Sequence, residues 1–461
     1  MENVLLIVTI LTTVVSHDEG SLLISLYTGI CKGEHNAFQP AIIGEIEKGI
    51  GTANGVVQTT TFYNEENGSE LANFFSLRDN SSKEWNLKNT IDYLQKVCED
   101  NELDFESEII LHLSVLKSIG EKKYDDAFKG QLTILQNIVK YLQTDSENWM
   151  VPLANTVCVD LRYLLNAYDK YESTNKKLKL EKYNDFQKKY IDVMMMYFRI
   201  CSNDIRTPAR QSKRWTIMFI VNQMLKVYHK IKKFHLTTGL TKTILMCPDK
   251  RTFPIAHAVT FYYYTGCKEI FEGKFNDARE NLTVAFEGCH RSSIKNKTLI
   301  LKKLIPLNML HGIMPSRDLL NKYNLDVFKD LTESIKMGNV QKFRECIDVN
   351  EVYYMKCGIY LLLQKLINLV YRNLFKKFFL IANNHIIPVE TIANILKKFD
   401  DPDTDYDKAQ SLLVNMIYRG TLRGYLSHAH KKVVLSKKDP FPTGKQVFDK
   451  ATKSINEIGH N

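Results

Sequence analysis

Tyr371-Arg372-Asn373-Leu374-Phe375-Lys376-Lys377 opens the stretch that decides the fold, and Lys438 closes it. The opening run alternates cations with apolar anchors. Ile387, Ile392, Ile395, Leu396 and Phe399 are spaced for one buried stripe on a helix over 388–399. A second helix is expected over 405–419. Asp405 can cap its start, and Leu412, Leu413, Met416 and Ile417 form its apolar face. Gly420 stops it. Two strand-like runs, 422–427 and 432–436, are joined by His428-Ala429-His430-Lys431. Helix, helix, helix, hairpin is the order of a winged-helix domain. No acidic residue occurs between Asp407 and Asp439, whereas Lys408, Arg419, Arg423, Lys431, Lys432, Lys437 and Lys438 all do. A small fold with a hairpin of one sign predicts a surface for a polyanion.

A length of 461 residues suffices for two or three domains with sizeable cores. A hydrophobic share of 44% is that of an ordinary globular chain and argues against general disorder. Lys+Arg 62 against Asp+Glu 52 leaves a mild net charge of +10, so where the cations sit matters more than their number. The nine cysteines are scattered, odd in number and form no Cys-x-x-Cys pair, so neither a zinc ribbon nor a disulfide framework is indicated, and buried thiols in a reducing compartment are expected. Val4 to Val15 is apolar, but Glu2 stands where a secretory leader carries cations and the run is too short to span a bilayer. It reads as a buried first helix or an aberrant start.

Residues 1–108 form a divergent region with a linker. Gly49-Ile50-Gly51-Thr52-Ala53-Asn54-Gly55 lacks the Gly-Lys-Ser/Thr ending of a phosphate loop. From 109 to 350 the pattern is helical throughout. Lys123-Tyr124-Asp125-Asp126-Ala127 recurs in outline as Lys274-Phe275-Asn276-Asp277-Ala278. Near the second copy, Tyr262, Gly266, Ala278, Leu282 and Ala285 have tetratricopeptide-like spacing, which predicts stacked helix pairs. Pro152, Pro208, Pro248, Pro254, Pro306 and Pro315 are expected in loops or first turns. The lysine-rich run 176–189 reads as a solvated face. Cys357 to Val370 reads as one buried helix leading into a winged helix over about 351–440, with a flexible tail over 441–461. The expected fold class is therefore an all-α, tetratricopeptide-like helical-repeat solenoid ending in a winged helix with a small β-hairpin.

Several runs carry a more specific likeness. They are Val159-Asp160-Leu161-Arg162, Ala285 to Ser293 (Ala-Phe-Glu-Gly-Cys-His-Arg-Ser-Ser), Tyr371 to Lys377, and Gly424-Tyr425-Leu426-Ser427-His428 continued through His430-Lys431 to Val434. Asp439-Pro440-Phe441-Pro442 closes the last. From about Trp149 to Pro442 the chain resembles the PCI domain-containing protein 2 family, which includes signalosome-subunit-12-like members and supplies the PCI subunit of TREX-2 mRNA export complexes. The resemblance implies a PCI architecture, with the last repeats and the winged helix forming one PCI domain over 254–436. It implies a non-enzymatic scaffold, a Sac3/GANP-like partner, a small acidic Dss/Sem-type partner and a place in the nucleus at or near the nuclear pore. It also implies two winged helices side by side as a nucleic-acid platform.

For that platform the residues expected to meet the phosphates of RNA or DNA are Arg419, Arg423, Lys431, Lys432, Lys437 and Lys438. Arg372, Lys376 and Lys377 are expected to extend the same surface or to meet a partner. No cofactor, membrane insertion or small-molecule substrate is expected. Two alternatives compete. One is a PCI scaffold of the proteasome-lid, signalosome or translation-initiation type that makes protein contacts only. The other is a zinc site on His428 and His430 with Ser436 and Asp439, although that serine lies too near the second histidine for the His-x-His metal motif of isopeptidases.

Overall fold

In the computed structural model, residues 106–443 are described apart from 145–147, 149, 175–179, 207–211 and 248–252. The readings of the first 105 residues, of Pro208 and Pro248, and of the tail beyond 443 lie outside them. Helix after helix ends in one geometry. Lys122, Lys232, Gly273, Gly312, Asn324, Gly338, Gly358 and Gly420 all adopt positive φ. After each, the next N–H donates to the carbonyl five residues back at 2.8–3.0 Å. This satisfies carbonyls the helix leaves open and turns the chain sharply back. Repeated, it makes antiparallel helix pairs.

The chain divides into two compact units inside one helix, between His257 and Ala258. The first holds α1 (Glu106–Gly120), α2 (Tyr124–Thr144), α3 (Val151–Thr174), α4 (Leu180–Asn203), α5 (Ile217–Lys230) and α6 (Thr238–Met246). Neighbours pack in chain order, α2 also meets α4, and α3 also meets α5. The dividing helix is α7 (Ile255–Glu272). The second unit continues with α8 (Phe275–Gly288), α9 (Ile294–Leu310), α10 (Arg317–Lys322), α11 (Val327–Met337), α12 (Val340–Val349), α13 (Glu351–Cys357) and α14 (Tyr360–Gln364). It ends with α15 (Ile367–Ala382), β1 (Ile386–Pro388), α16 (Val389–Phe399), α17 (Tyr406–Tyr418), β2 (Gly424–Ser427) and β3 (Lys432–Leu435).

The small residues of the repeats serve close approach. A Cβ on Gly266 would fall 2.7 Å from Leu282 Cγ, and Ala278, Leu282 and Ala285 are fully buried. In the earlier copy the glycine is on the second helix, where a Cβ on Gly130 would meet Val115 at 2.7 Å. Two expectations need correction. Pro306 lies buried inside α9, where its missing N–H forgoes one helical hydrogen bond. Cys357 to Val370 is not one helix, because Gly358 takes φ +68° and separates α13 from α14.

The winged helix is α15, β1, α16, α17, β2, β3, with an antiparallel sheet in the order β1-β3-β2. Ile387 pairs with Val433 and Val433 with Leu426, all on the inward face. Ile387 is thus buried from a strand rather than from the helical stripe assigned to it. Leu413, Leu422, Leu435 and Phe441 complete that core.

Candidate nucleic-acid interface on the winged helix

Helix α15 shows what its cation-rich opening run does. Tyr371 Oη donates to Asp400 Oδ2 at 2.6 Å, and Arg344 Nη2 lies 2.8 Å from Asp400 Oδ1. Burial, and then the hydrogen bond it donates to Asp400, push the Tyr371 phenol up to about 12. Asn373 Nδ2 donates to Ile335 O at 2.8 Å. Arg372 is only 8% exposed, so its assignment to an outer surface is corrected. Its guanidinium donates inward, to Pro442 O at 2.9 Å, Phe441 O at 2.7 Å and Asn373 Oδ1 at 2.9 Å. Phe441 and Pro442 therefore belong to the folded module rather than to a tail. Lys377 remains exposed, but its Nζ donates to Met337 O at 3.0 Å, at the C-terminal end of α11 where a cation is favoured. Lys376 is exposed to solvent.

The wing is built differently. Lys431 takes φ +50°, and its N–H donates to His428 O at 3.2 Å, closing the loop between β2 and β3. Its carbonyl accepts from Val389 N at 3.0 Å, which fixes the loop against the start of α16. Its ammonium stands 5.7 Å from the Tyr406 ring centroid. Lys432 points outward beside Ser427 and Pro388. At the opposite end of the hairpin lie Arg423, Lys437 and Lys438, all exposed, with exposed Arg419 at the end of α17. The length of β3 separates the two groups by roughly 13–16 Å. Arg423 is the member with a carboxylate partner, since its Nη1 lies 2.9 Å from Asp439 Oδ2. That pair is well exposed and contributes little in water, so a phosphate would compete with Asp439 for it.

Helix α17 occupies the place of a recognition helix, yet its face is not basic. Asp407, Ser411, Val414, Asn415 and Tyr418 are exposed along it. Lys408 is turned back to Asp403 O at 3.1 Å and Asp401 Oδ2 at 3.7 Å. A helix of this composition has no cation aimed at base edges. The positive surface is the wing and the base of the sheet.

The zinc alternative is not assembled. His428 faces Gln410 Nε2 at 3.3 Å, while Asp439 is held by Arg423 at the far end of the hairpin. Among the described residues no three His, Cys, Asp or Glu side chains converge as a metal would need. Nor is any described helix long and apolar enough to cross a membrane.

Antiparallel helical repeats running into a winged helix define a PCI-type scaffold subunit, and the PCI domain family matches residues 340–437. Similar proteins span most of the chain. PCI domain-containing protein 2 of Xenopus laevis is 38% identical over 332 residues, covering 72% of this chain and 82% of its own. The PCI domain-containing protein 2 homolog of Drosophila melanogaster is 36% identical over 385 residues, covering 82% and 94%. The Protein CSN12 homolog of Schizosaccharomyces pombe is 31% identical over 348 residues, covering 72% and 82%. The chain belongs to the PCI domain-containing protein 2 family.

Proposed function

We propose that the chain is a scaffold subunit of a TREX-2-type complex in the nucleus, coupling transcription to mRNA export and holding RNA or DNA through the wing of its winged helix. The observation that carries this reading is the exposure of Lys431 and Lys432 at the wing and of Lys437 and Lys438 just past the hairpin's other end, none of them in an ion pair among the described residues. Cations so placed contact phosphates, release counterions and read no sequence. With α17 contributing no base contacts, binding is weak and non-specific, with a dissociation constant on the order of 10⁻⁴ to 10⁻⁶ M at physiological salt. A Sac3/GANP-like partner would add a second winged helix beside this one, and a small acidic Dss/Sem-type chain would gain order on the helices.

Reversing Lys431 and Lys432 to glutamate in the full-length chain is expected to weaken oligonucleotide binding at least about tenfold. The slope of log K against log salt should fall by roughly 1.5, the loss of two phosphate contacts. Far-UV circular dichroism should not change, because both side chains are exposed. Unaltered binding would remove the wing from the account. The complex itself is tested by affinity capture of the full-length chain from nuclear extract. A Sac3/GANP-like protein and a small acidic chain are expected, whereas capture of lid or initiation subunits alone would assign the scaffold to that other class.

A further inference from the structure

Alternation along the hairpin sends one set of side chains into the core and the other outward. Tyr425 on β2 stands opposite Val434 on β3, and Val434 opposite Ile386 on β1. These three form a row across the outer face of the sheet. Tyr425 is 62% exposed and Ile386 48%. Two residues along β3 on the same face is Lys432, and two residues before Tyr425, just ahead of β2, is Arg423. The row is thus an aromatic ring on a short aliphatic floor, with a cation toward either end.

The ring's position is fixed by the backbone. A Cβ on Gly424 would fall inside contact distance of Val434 O and within 3.1 Å of Leu435 Cα. Glycine there lets β2 and β3 approach closely, which holds Tyr425 in its outward register. The diagonal from Tyr425 to Lys432 places their Cβ atoms roughly 7–8 Å apart. A nucleotide can bridge that gap with its base on the ring and its phosphate at the ammonium.

We propose that the outer face of the three-stranded sheet is a stacking platform for single-stranded nucleic acid, on which Tyr425 receives an unpaired base while Lys432 holds the adjoining phosphate. The inference rests on the nucleic-acid reading above and adds the strandedness of the ligand. Duplex bases keep their π-faces covered by one another, so only an unpaired strand can use the ring. A protein interface is disfavoured because the row is three side chains wide and bounded by cations, far short of a standard contact area.

The test uses the full-length chain, a labelled uridine-rich 12-mer RNA and a duplex of equal length, read by fluorescence anisotropy. Tyr425→Ala is expected to weaken single-strand binding roughly tenfold, the effect of one lost stack. Duplex binding and the salt slope should stay as in the unmodified chain, because no phosphate contact is removed. Tyr425→Phe keeps the ring and should retain binding. Reversal of Lys431 and Lys432 should weaken both ligands. If Tyr425→Ala binds the single strand normally while the reversal weakens it, the platform is wrong and the wing reading stands. A protein role for the row would give that same result. Equal losses on single strand and duplex would also overturn stacking. If the reversal changes neither ligand, the nucleic-acid reading falls with it.

Discussion

Replacing Arg372 by alanine is expected to destabilise the winged helix by about 3 kcal/mol, with little to gain from lysine in its place. The guanidinium donates to two successive carbonyls, Phe441 O and Pro442 O, from a site almost closed to water. Hydrogen bonds from a charged donor contribute about 1.5–3 kcal/mol each, and truncation leaves both carbonyls buried without a donor. Burial already lowers the Arg372 pKa, so the site tolerates the charge only because of those acceptors. A lysine ammonium lacks the planar fork that meets two neighbouring oxygens at once. The consequences reach the candidate interface. Phe441 packs against Phe379 with ring centroids 5.8 Å apart, and Pro440 O accepts from Arg423 N at 2.8 Å. Loss of the anchor would loosen the base of the sheet, from which Lys437 and Lys438 project. Chemical denaturation, with hydrogen exchange followed over 386–442 to isolate this unit, measures the effect. A loss below about 1 kcal/mol would show that the closing segment is held by packing alone.

The parts of the winged helix that were legible in the sequence are those set by local chemistry. Asp405 caps α17 by accepting from Lys408 N at 2.8 Å, and Gly420 ends it at φ +71°. The strands of the hairpin fall inside the two alternating runs. What escaped depends on partners far along the chain. β1 is three residues long and exists because β3 supplies its ladder, so no local pattern marks it. Arg372 looked like a surface cation because its acceptor at Pro442 lies 70 residues further on. Arg423 looked free for the same kind of reason, its partner Asp439 standing just past the stretch without acids. That stretch began after Asp407, so it also hid the carboxylates around the start of α17 that turn Lys408 away from solvent ligands. Tyr425 was not singled out either, because its outward face follows only from Leu426 and Val433 being turned into the core.

Gly338→Ala is expected to cost about 3 kcal/mol or more, whereas Gly358→Ala should cost only about 1 kcal/mol, although both glycines end a helix in nearly the same conformation. Gly338 has φ +70° and Gly358 φ +68°, so the left-handed penalty is shared. The difference lies in what a methyl group would meet. At Gly358 the nearest atom is Lys303 Nζ at 3.9 Å, the end of a flexible side chain. At Gly338 the methyl would lie 2.6 Å from Leu374 N and 2.8 Å from Leu374 Cα, both backbone atoms in the middle of α15. A helix backbone cannot rotate aside, so α15 would have to retreat from α11 as a body. The retreat would stretch the Asn373 to Ile335 and Lys377 to Met337 hydrogen bonds, which cross the same seam. It would also shift Tyr371 from Asp400 and Arg372 from the closing segment, so the winged helix loses its footing on the last helical repeat. Denaturation of the two variants side by side separates strain from close packing. Equal losses would mean that α15 has room to move, and the seam would then not be what sets the wing in place.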